Sequence, residues 1–561
     1  MTRRRGILSA LLALCAVVLT ACAGFPTGGP VHYGLDITAA GEESQSVAFL
    51  PNRPQPGATP AQIVEGFINA GTGPGVDGDW ARAREFLAPQ IRRSWNPEAR
   101  VIVDLPGERA YTETGEGAVE LSFDAVASVD DRGAYVRAEL AEQTLPFRLA
   151  QQADGEWRIT EAPDGIVLDR DQFPTVFHRY TVAYFDPSWQ YIVPDVRWFP
   201  TSNAAARITD ALVNQPRSEW LAPAVATAFG EGVTAVPAVT VSDGTAQVVL
   251  SEEALAADAL TRDRMLTQLE ASLGSAGVED VEMSAGSTPL AADQVAVRST
   301  RVPSAALVLT QEGEFGFLTE GEIDPIAGLS TQIVRAGPVA VQVGRERDAA
   351  AVRLTGGEVA RVTTAGVEVL DDRPGLIDPT IDPYGIIWSV PAGEPTAVQA
   401  TLPDGASVTV ADAWAEATSV SAMTLSRDGT RVAAVVTTGG RTSLWIAGVV
   451  RDPNGIPQRL GEPRILAPVG GVGVGVSWID DVTIGVLAKG VDDAVVLEQV
   501  VGGPTSATTA AGDMASIAGG TGGNTLRLRA ADGTLFVKRG MTWQPTATGI
   551  LVLATQQGAP R

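Results

Sequence analysis

Pro379-Thr380-Ile381-Asp382-Pro383-Tyr384-Gly385-Ile386-Ile387-Trp388 is echoed by Met423-Thr424-Leu425-Ser426-Arg427-Asp428-Gly429-Thr430-Arg431-Val432, and Gly385 and Gly429 stand 44 residues apart. In each copy a short apolar run leads into a polar turn that reaches glycine, and a second apolar run follows. That is the pattern of two strands joined by a tight turn. The interval falls in the ~40–50 residue range of four-stranded propeller blades. Gly473-Val474-Gly475-Val476-Ser477-Trp478-Ile479-Asp480-Asp481 is a degenerate third copy at a longer interval. Further strand candidates are Ala306–Leu309, Val339–Val343, Ser443–Ile446 and Thr483–Leu487, and Asp-Gly pairs recur at Asp404-Gly405, Asp428-Gly429 and Asp532-Gly533. The span 305–561 has little helical periodicity. At ~43 residues per blade it has room for about six blades. Two packed sandwiches are the competing architecture, but repeated turn-then-strand units favour radial repetition.

Upstream, residues 178–300 read as an α+β block. Apolar runs at Tyr180–Phe185 and Tyr191–Arg197 predict two strands, followed by a helix after Ser202-Asn203 with Ile208, Ala211 and Leu212 on one face. Val239–Val241 and Ala246–Leu250 flank Ser242-Asp243-Gly244-Thr245, a hairpin turn in which Asp-Gly accepts positive φ. A second helix carries Met265, Leu266, Leu269 and Leu273 and is expected to be capped by Gly274, before a closing strand at Val278–Met283. At Val193-Pro194-Asp195-Val196-Arg197, Val241-Ser242-Asp243-Gly244 and the Met265–Leu273 helix, this block is similar to the GerMN module, which implies an interaction or wall-binding role. Arg197 can be read as an anion ligand or as a strand-end residue reaching to solvent, the latter favoured. His178 has no second histidine nearby and reads as a structural residue between domains.

Residues 59–170 place helices before strands. Thr59-Pro60-Ala61-Gln62 matches a capping box with proline in the first turn, and Ile63, Val64, Phe67 and Ile68 recur at helical spacing up to Gly71. A second short helix is expected from Asp79 to Leu87. Strands are expected at Val119–Phe123, Tyr135–Leu140, Thr144–Leu149 and Glu156–Ile159. The order resembles the NTF2-like cone, here without a histidine and read as non-catalytic.

The first 22 residues decide the compartment. Arg3, Arg4 and Arg5 precede an uncharged apolar run from Gly6 to Leu19, too short for the ~20 residues of a membrane-spanning helix. The run ends in Leu19-Thr20-Ala21-Cys22, which resembles a bacterial lipobox; the alternative is a plain signal peptide that happens to end in cysteine. A lipobox implies residues 1–21 as lipoprotein signal peptide, cleavage between Ala21 and Cys22, and acyl chains on Cys22. Residues 22–58, rich in Gly and Pro, read as a flexible tether in which Val47-Ala48-Phe49-Leu50 could add one strand.

Composition narrows the chemistry. The chain has 561 residues, enough for about three to four domains, with 45% apolar residues to fill their cores. It holds only two histidines and two cysteines, so multi-ligand zinc sites and Cys- or His-based catalysis lack material. The formal net charge of −25 argues against nucleic acid as a partner. Catalysis by carboxylates alone is the remaining enzymatic option, and the recurrent Asp-Gly acids read as turn formers. The expectation is therefore a protein that is not an enzyme and carries no metal and no cofactor besides the lipid on Cys22. Trp414 and Trp543 are candidate sugar platforms, although core packing is favoured for each.

Cys22-Ala23-Gly24-Phe25-Pro26-Thr27-Gly28-Gly29-Pro30, followed by NTF2-like, GerMN and propeller blocks, resembles the LpqB family of actinobacterial lipoproteins. The resemblance implies a lipid-anchored protein on the extracytoplasmic face of the cell membrane. It further implies an accessory role beside an MtrB-like two-component sensor kinase, contacting the kinase ectodomain in envelope and cell-division signalling. A peptidoglycan- or glycan-binding scaffold is the alternative. The family carries no catalytic residues over to this chain.

Overall fold

The computed structural model describes residues 51–75, 78–490 and 493–560. The signal segment, Cys22, most of the tether and the Val47–Leu50 strand lie outside the described residues.

The first helix, Pro60–Ala70, forms as its sequence dictates. Thr59 accepts from the Gln62 amide, Gln62 reaches back to the Thr59 amide, and Ile63, Val64, Phe67 and Ile68 are buried. The second helix is only Ala81–Arg84, shorter than expected, because Trp80 enters it in a left-handed conformation (φ 52°) and the chain turns again at Glu85–Leu87. A six-stranded sheet follows, in the order Trp157–Glu161, Tyr135–Gln151, Ala118–Asp130, Arg100–Asp104, Ile166–Asp169, with Ala110–Gly115 also paired to Ala118–Asp130. Along Ala118–Asp130 burial alternates strictly, with Val119, Leu121, Phe123, Ala125, Ala127 and Val129 inward. The two strands expected at 135–149 are one 17-residue strand; a register shift opposite Ala125/Ala127 absorbs the break in pattern.

The middle block combines a two-stranded ribbon with a separate four-stranded sheet. Phe177–Phe185 pairs antiparallel with Ile192–Pro200. The hairpin of Thr240–Ser242 and Thr245–Leu250 turns at Asp243 (φ 51°) and Gly244 (φ 80°), and Thr245–Leu250 then pairs in parallel with Asp280–Ala285. Helix Ala204–Val213 starts at Asn203 as expected, but Asn203 is left-handed and makes no side-chain cap. Helix Ala259–Leu273 is capped by the Asp258 carboxylate on the Thr261 amide and buries Met265, Leu266, Leu269 and Leu273. Gly274 keeps helical angles and a 3-10 turn continues to Gly277 (φ 78°), so the left-handed stop lies three residues later than expected. The same helix buries Gln268 and Ser272, which bond the Ala183 carbonyl (2.9 Å) and amide (2.9 Å), filling the free edge of the ribbon.

From Ala306 onward the chain is almost wholly strand. There is an eight-stranded sheet and four further sheets of four or five strands. Pro338–Val343 of the eight-stranded sheet and the first strands of the four sheets that follow, Thr380–Ile381, Ser419–Leu425, Val472–Trp478 and Met514–Ala518, pack each against the next, and Met514–Ala518 then meets Ile550–Gln556. Ile550–Gln556 in turn runs parallel to Pro338–Val343, so the succession returns on itself. It also pairs antiparallel with Ala306–Thr310, with Leu307 opposite Ala554 and Leu309 opposite Val552, so the two ends of the block share one sheet. The Asp-Gly turns form as expected: Asp404, Asp428 and Asp532 each accept the amide two residues on. One helix, Leu329–Ala336, was not expected from the strand-dominated pattern; its signals are Leu329 and Ile333 on one face and left-handed Gly337 (φ 59°) at its end.

Candidate functional site

Two buried ion pairs sit at the turns of the repeated motif. Asp428, besides ordering its own turn, pairs with Arg431, both being about 1% exposed, and Arg431 lies 4.8 Å from the Trp478 ring centroid. Burial pushes the Asp428 carboxyl up, but Arg431 with Ser426 and Thr430 outweighs it and holds the group below the ordinary carboxylate value. In the other copy Asp382 pairs with Arg451 at 2.7 Å, and that guanidinium lies 4.8 Å from the Tyr384 ring centroid.

These pairs abut the middle block. Arg431 donates to the Pro194 carbonyl at 3.4 Å. Tyr384 donates to Asp186, a fully buried carboxylate that also accepts from the amides of Ser188, Gln190 and Tyr191. Burial, and then the Asp186 charge, raise the Tyr384 pKa, so the phenol stays a donor. Trp198 Nε1 donates to the Gly502 carbonyl at 2.8 Å, and the Trp198 amide to Gly133 at 2.9 Å. The ribbon strand Ile192–Pro200 is thus held both by the N-terminal block, where Trp198 also packs on Tyr135 and Phe173, and by the strand-rich block.

Where all three blocks meet there is an open cavity of about 540 Å³. Asp130, Arg132 and Ala134 of the N-terminal block line it, with Arg197 and Pro216–Trp220 of the middle block and Glu462–Ile465 of the C-terminal block. Asp130 accepts from the amides of Arg132 (3.0 Å) and Ala134 (2.8 Å), which shapes the turn. Arg197, expected at the solvent edge, is instead 4% exposed, and its Nη2 bonds Asp195 at 2.8 Å; Ser218 donates to the same carboxylate. The correction has a simple cause: besides pairing with Phe177–Phe185, strand Ile192–Pro200 is met by both neighbouring domains, which its own residues cannot report.

Arg217 donates to the Val225 carbonyl at 2.7 Å and Arg464 to the Tyr135 carbonyl at 2.5 Å. Burial lowers the Arg464 pKa, with Asp195 opposing and Arg197 reinforcing it; a guanidinium nonetheless remains charged in water at neutral pH. Among the described residues Arg132, Arg217 and Arg464 have no carboxylate within ion-pair distance.

The remaining expected residues are placed plainly. Trp414 is fully buried beside Trp388 and Trp445, so it is no sugar platform. Trp543 is half-buried and packs against the cluster of Ile479, Leu487 and Leu528. His178 is half-buried at the head of the ribbon; burial lowers its pKa against a hydrogen bond with the Thr175 backbone. Sequence reasoning missed Arg132, Arg217 and Arg464, whose only signal was the scarcity of basic residues in an acidic chain.

Among the described residues no helix is long and apolar enough to cross a membrane. The architecture is that of a multidomain chain with a strand-rich, propeller-like C-terminal region. Three family models tile it: "Lipoprotein LpqB, N-terminal domain" over residues 53–174, "Sporulation and spore germination" over 181–291, and "Lipoprotein LpqB beta-propeller domain" over 313–552. The chain belongs to the LpqB lipoprotein family. Lipoprotein LpqB of Rhodococcus opacus is 27% identical across 89% of this chain and 88% of that protein, and that of Rhodococcus jostii 26% across 89% and 87%. Lipoprotein LpqB of Thermobifida fusca is 33% identical, but the match spans 44% of this chain and only 41% of that protein's length. Among solved structures, a nidogen/laminin complex chain is 12% identical with a TM-score of 0.32 (44% of this chain, 96% of that one), and a TolB of Agrobacterium tumefaciens is 13% identical with 0.26 (33% and 66%). Likeness at that level carries no argument.

Proposed function

We propose that this chain is a lipoprotein held by acyl chains on Cys22 at the extracytoplasmic face of the cell membrane, where it acts as accessory regulator of an MtrB-like two-component sensor kinase. In this reading it works by contacting the kinase ectodomain, without catalysis and without a cofactor other than the lipid. We take the N-terminal block as an NTF2-like cone and the C-terminal ring as six blades. The observation that supports a docking role is the locking of three domains into one body by buried contacts such as Tyr384–Asp186 and Trp198–Gly502. A rigid body presents its loops at fixed spacing, so a partner's binding is not spent on ordering them. Each buried acyl CH₂ contributes about 0.8 kcal/mol, so two or three chains hold the protein at the membrane. Confinement to that surface raises the effective concentration of a neighbouring ectodomain. Regulation then requires different affinities for the kinase's two signalling states.

The deciding experiment is membrane cross-linking with partner identification, comparing wild type with Cys22→Ala. The kinase should be recovered with wild type and lost with the variant; a kinase absent from both refutes the reading. The alternative, a peptidoglycan- or glycan-binding scaffold, predicts co-sedimentation with purified cell wall.

A further inference from the structure

The succession of sheets closes at strand Ile550–Gln556, and the residue that follows it is held by two separate sheets. The closing strand meets Pro338–Val343 in two residue pairs, Gln342 with Thr555 and Val343 with Gln556. The Gln557 amide then donates to the Val343 carbonyl at 3.0 Å, and its side-chain Nε2 donates to the Ser426 carbonyl at 3.3 Å. Ser426 directly follows strand Ser419–Leu425, and Thr380–Ile381 lies between that strand and Pro338–Val343 in the succession. Gln557 is 2% exposed, so both bonds lie out of water, where breaking either leaves a polar group unpaired.

Both turns beside Gln557 also touch the middle domain. Arg345, in the turn after Pro338–Val343, is buried and lies against Gly558, where a Cβ would come within 3.2 Å of the arginine Cγ. The same guanidinium donates to the Ser299 carbonyl at 2.8 Å and lies 5.6 Å from the ring centroid of Tyr191, a fully buried ribbon residue. Ser299 belongs to the extended segment that joins the middle domain to strand Ala306–Thr310, and the neighbouring Arg298 amide donates to the Gln190 carbonyl at 2.7 Å. On the other side, Ser426 opens the turn from which Arg431 reaches the Pro194 carbonyl. The ion-pair neighbour of Arg345, Glu346, is itself exposed, so charge pairing does not require Arg345 to be buried. Its contacts with three separate segments account for its position.

We propose that Arg345 and Gln557 form a latch that couples the seating of the middle domain to the closure of the ring, so that loosening either end loosens the other. The physical basis is shared contact: the middle domain bridges the two turns between which Gln557 is held. The coupling goes beyond the docking role proposed above and does not depend on what the partner is. Coupling free energy is reciprocal, so the latch can be approached from both ends.

Hydrogen exchange read by mass spectrometry on the full chain in detergent tests both directions. Tyr191→Leu, on the middle-domain side, should speed exchange of the closing strand Ile550–Gln556 about tenfold or more. Gln557→Ala, on the ring side, should speed exchange of residues 293–300 to a similar degree. Strand Ala118–Asp130 of the N-terminal sheet should keep its protection in both variants, which separates local opening from global unfolding. Tyr191→Phe removes a buried hydroxyl that has no hydrogen-bond partner among the described residues, and should leave both regions as in wild type. Should Tyr191→Leu not fold, Arg345→Lys serves in its place, since it keeps the charge and loses the planar fork; both regions should then exchange faster. Acceleration confined to the element that carries the substitution, acceleration spread evenly over all three domains, or a Tyr191→Phe response as large as that of Tyr191→Leu would each overturn the latch.

Discussion

Tyr384 Oη lies 2.9 Å from Asp186 Oδ2, joining residues 198 positions apart. One is in the turn of a repeated strand motif and the other follows the first ribbon strand of the middle domain. The hydrogen bond therefore belongs to neither domain alone, and with Arg431–Pro194 and Trp198–Gly502 it sets the angle between them.

Replacing Tyr384 by Phe keeps the ring and removes the donor. Asp186 retains its backbone amide partners, so the cost should be about 1–3 kcal/mol, the range for a hydrogen bond to a buried charge. Calorimetry on the full chain should show a lowered Tm, with the middle and C-terminal domains beginning to melt separately. An unchanged single transition would contradict the role assigned to this contact.

Arg431→Met leaves the Asp428 carboxylate buried without its counter-charge and should destabilise the chain by about 3–5 kcal/mol in urea unfolding. Replacing both, with Asp428→Asn added, should recover much of that loss, since the uncompensated charge is gone while an amide oxygen still accepts from the Thr430 amide. A double variant as weak as the single would show that shape rather than charge sets the cost.

Gly133 holds φ at 75°, and a Cβ there would lie 2.6 Å from the Phe199 ring and 2.9 Å from the Trp198 carbonyl. Gly107 has a similar φ of 79° with nothing within 4 Å. Gly107→Ala should cost only the left-handed backbone term of about 1 kcal/mol, while Gly133→Ala should cost clearly more and loosen the rim of the cavity. Equal melting temperatures of the two variants would refute a tight contact at Gly133.

Acid stability should carry the signature of Asp428. Its folded pKa lies below the ordinary carboxylate value, so the unfolded chain binds the proton more readily. The stabilisation is present above the unfolded pKa of about 3.9 and is lost as pH falls through the lower folded value. In Arg431→Met the strongest influence opposing burial is gone and only the hydrogen bonds from Ser426 and Thr430 remain, so the folded pKa rises and stability should begin to fall at higher pH than in wild type. Urea midpoints measured from pH 3 to pH 7 check both directions; superimposable profiles would contradict the assignment.

Local structure was readable wherever the signal is carried by neighbours in the chain. The Thr59–Gln62 capping box, the alternation along Val119–Phe123 and the left-handed turn at Asp243-Gly244 all involve contacts a few residues apart, so residue order by itself determines them. The 44-residue echo between Gly385 and Gly429 likewise announced similar turns, and both close with an amide from glycine to the residue three before it. Small errors fell where packing overrides local preference: the shortened helix at Trp80, the stop moved from Gly274 to Gly277, and the unexpected helix Leu329–Ala336. What only the tertiary structure decided is which polar groups meet across domains. Periodicity says that a residue faces inward or outward on its own element, but not what another element will lay against it. So Trp414 became core, Arg197 became half of a buried pair, and three arginines from distant segments came to share one cavity. Their energies depend on desolvation and on partners hundreds of residues away, and those exist only once the chain has closed through Ala306–Thr310 and Ile550–Gln556.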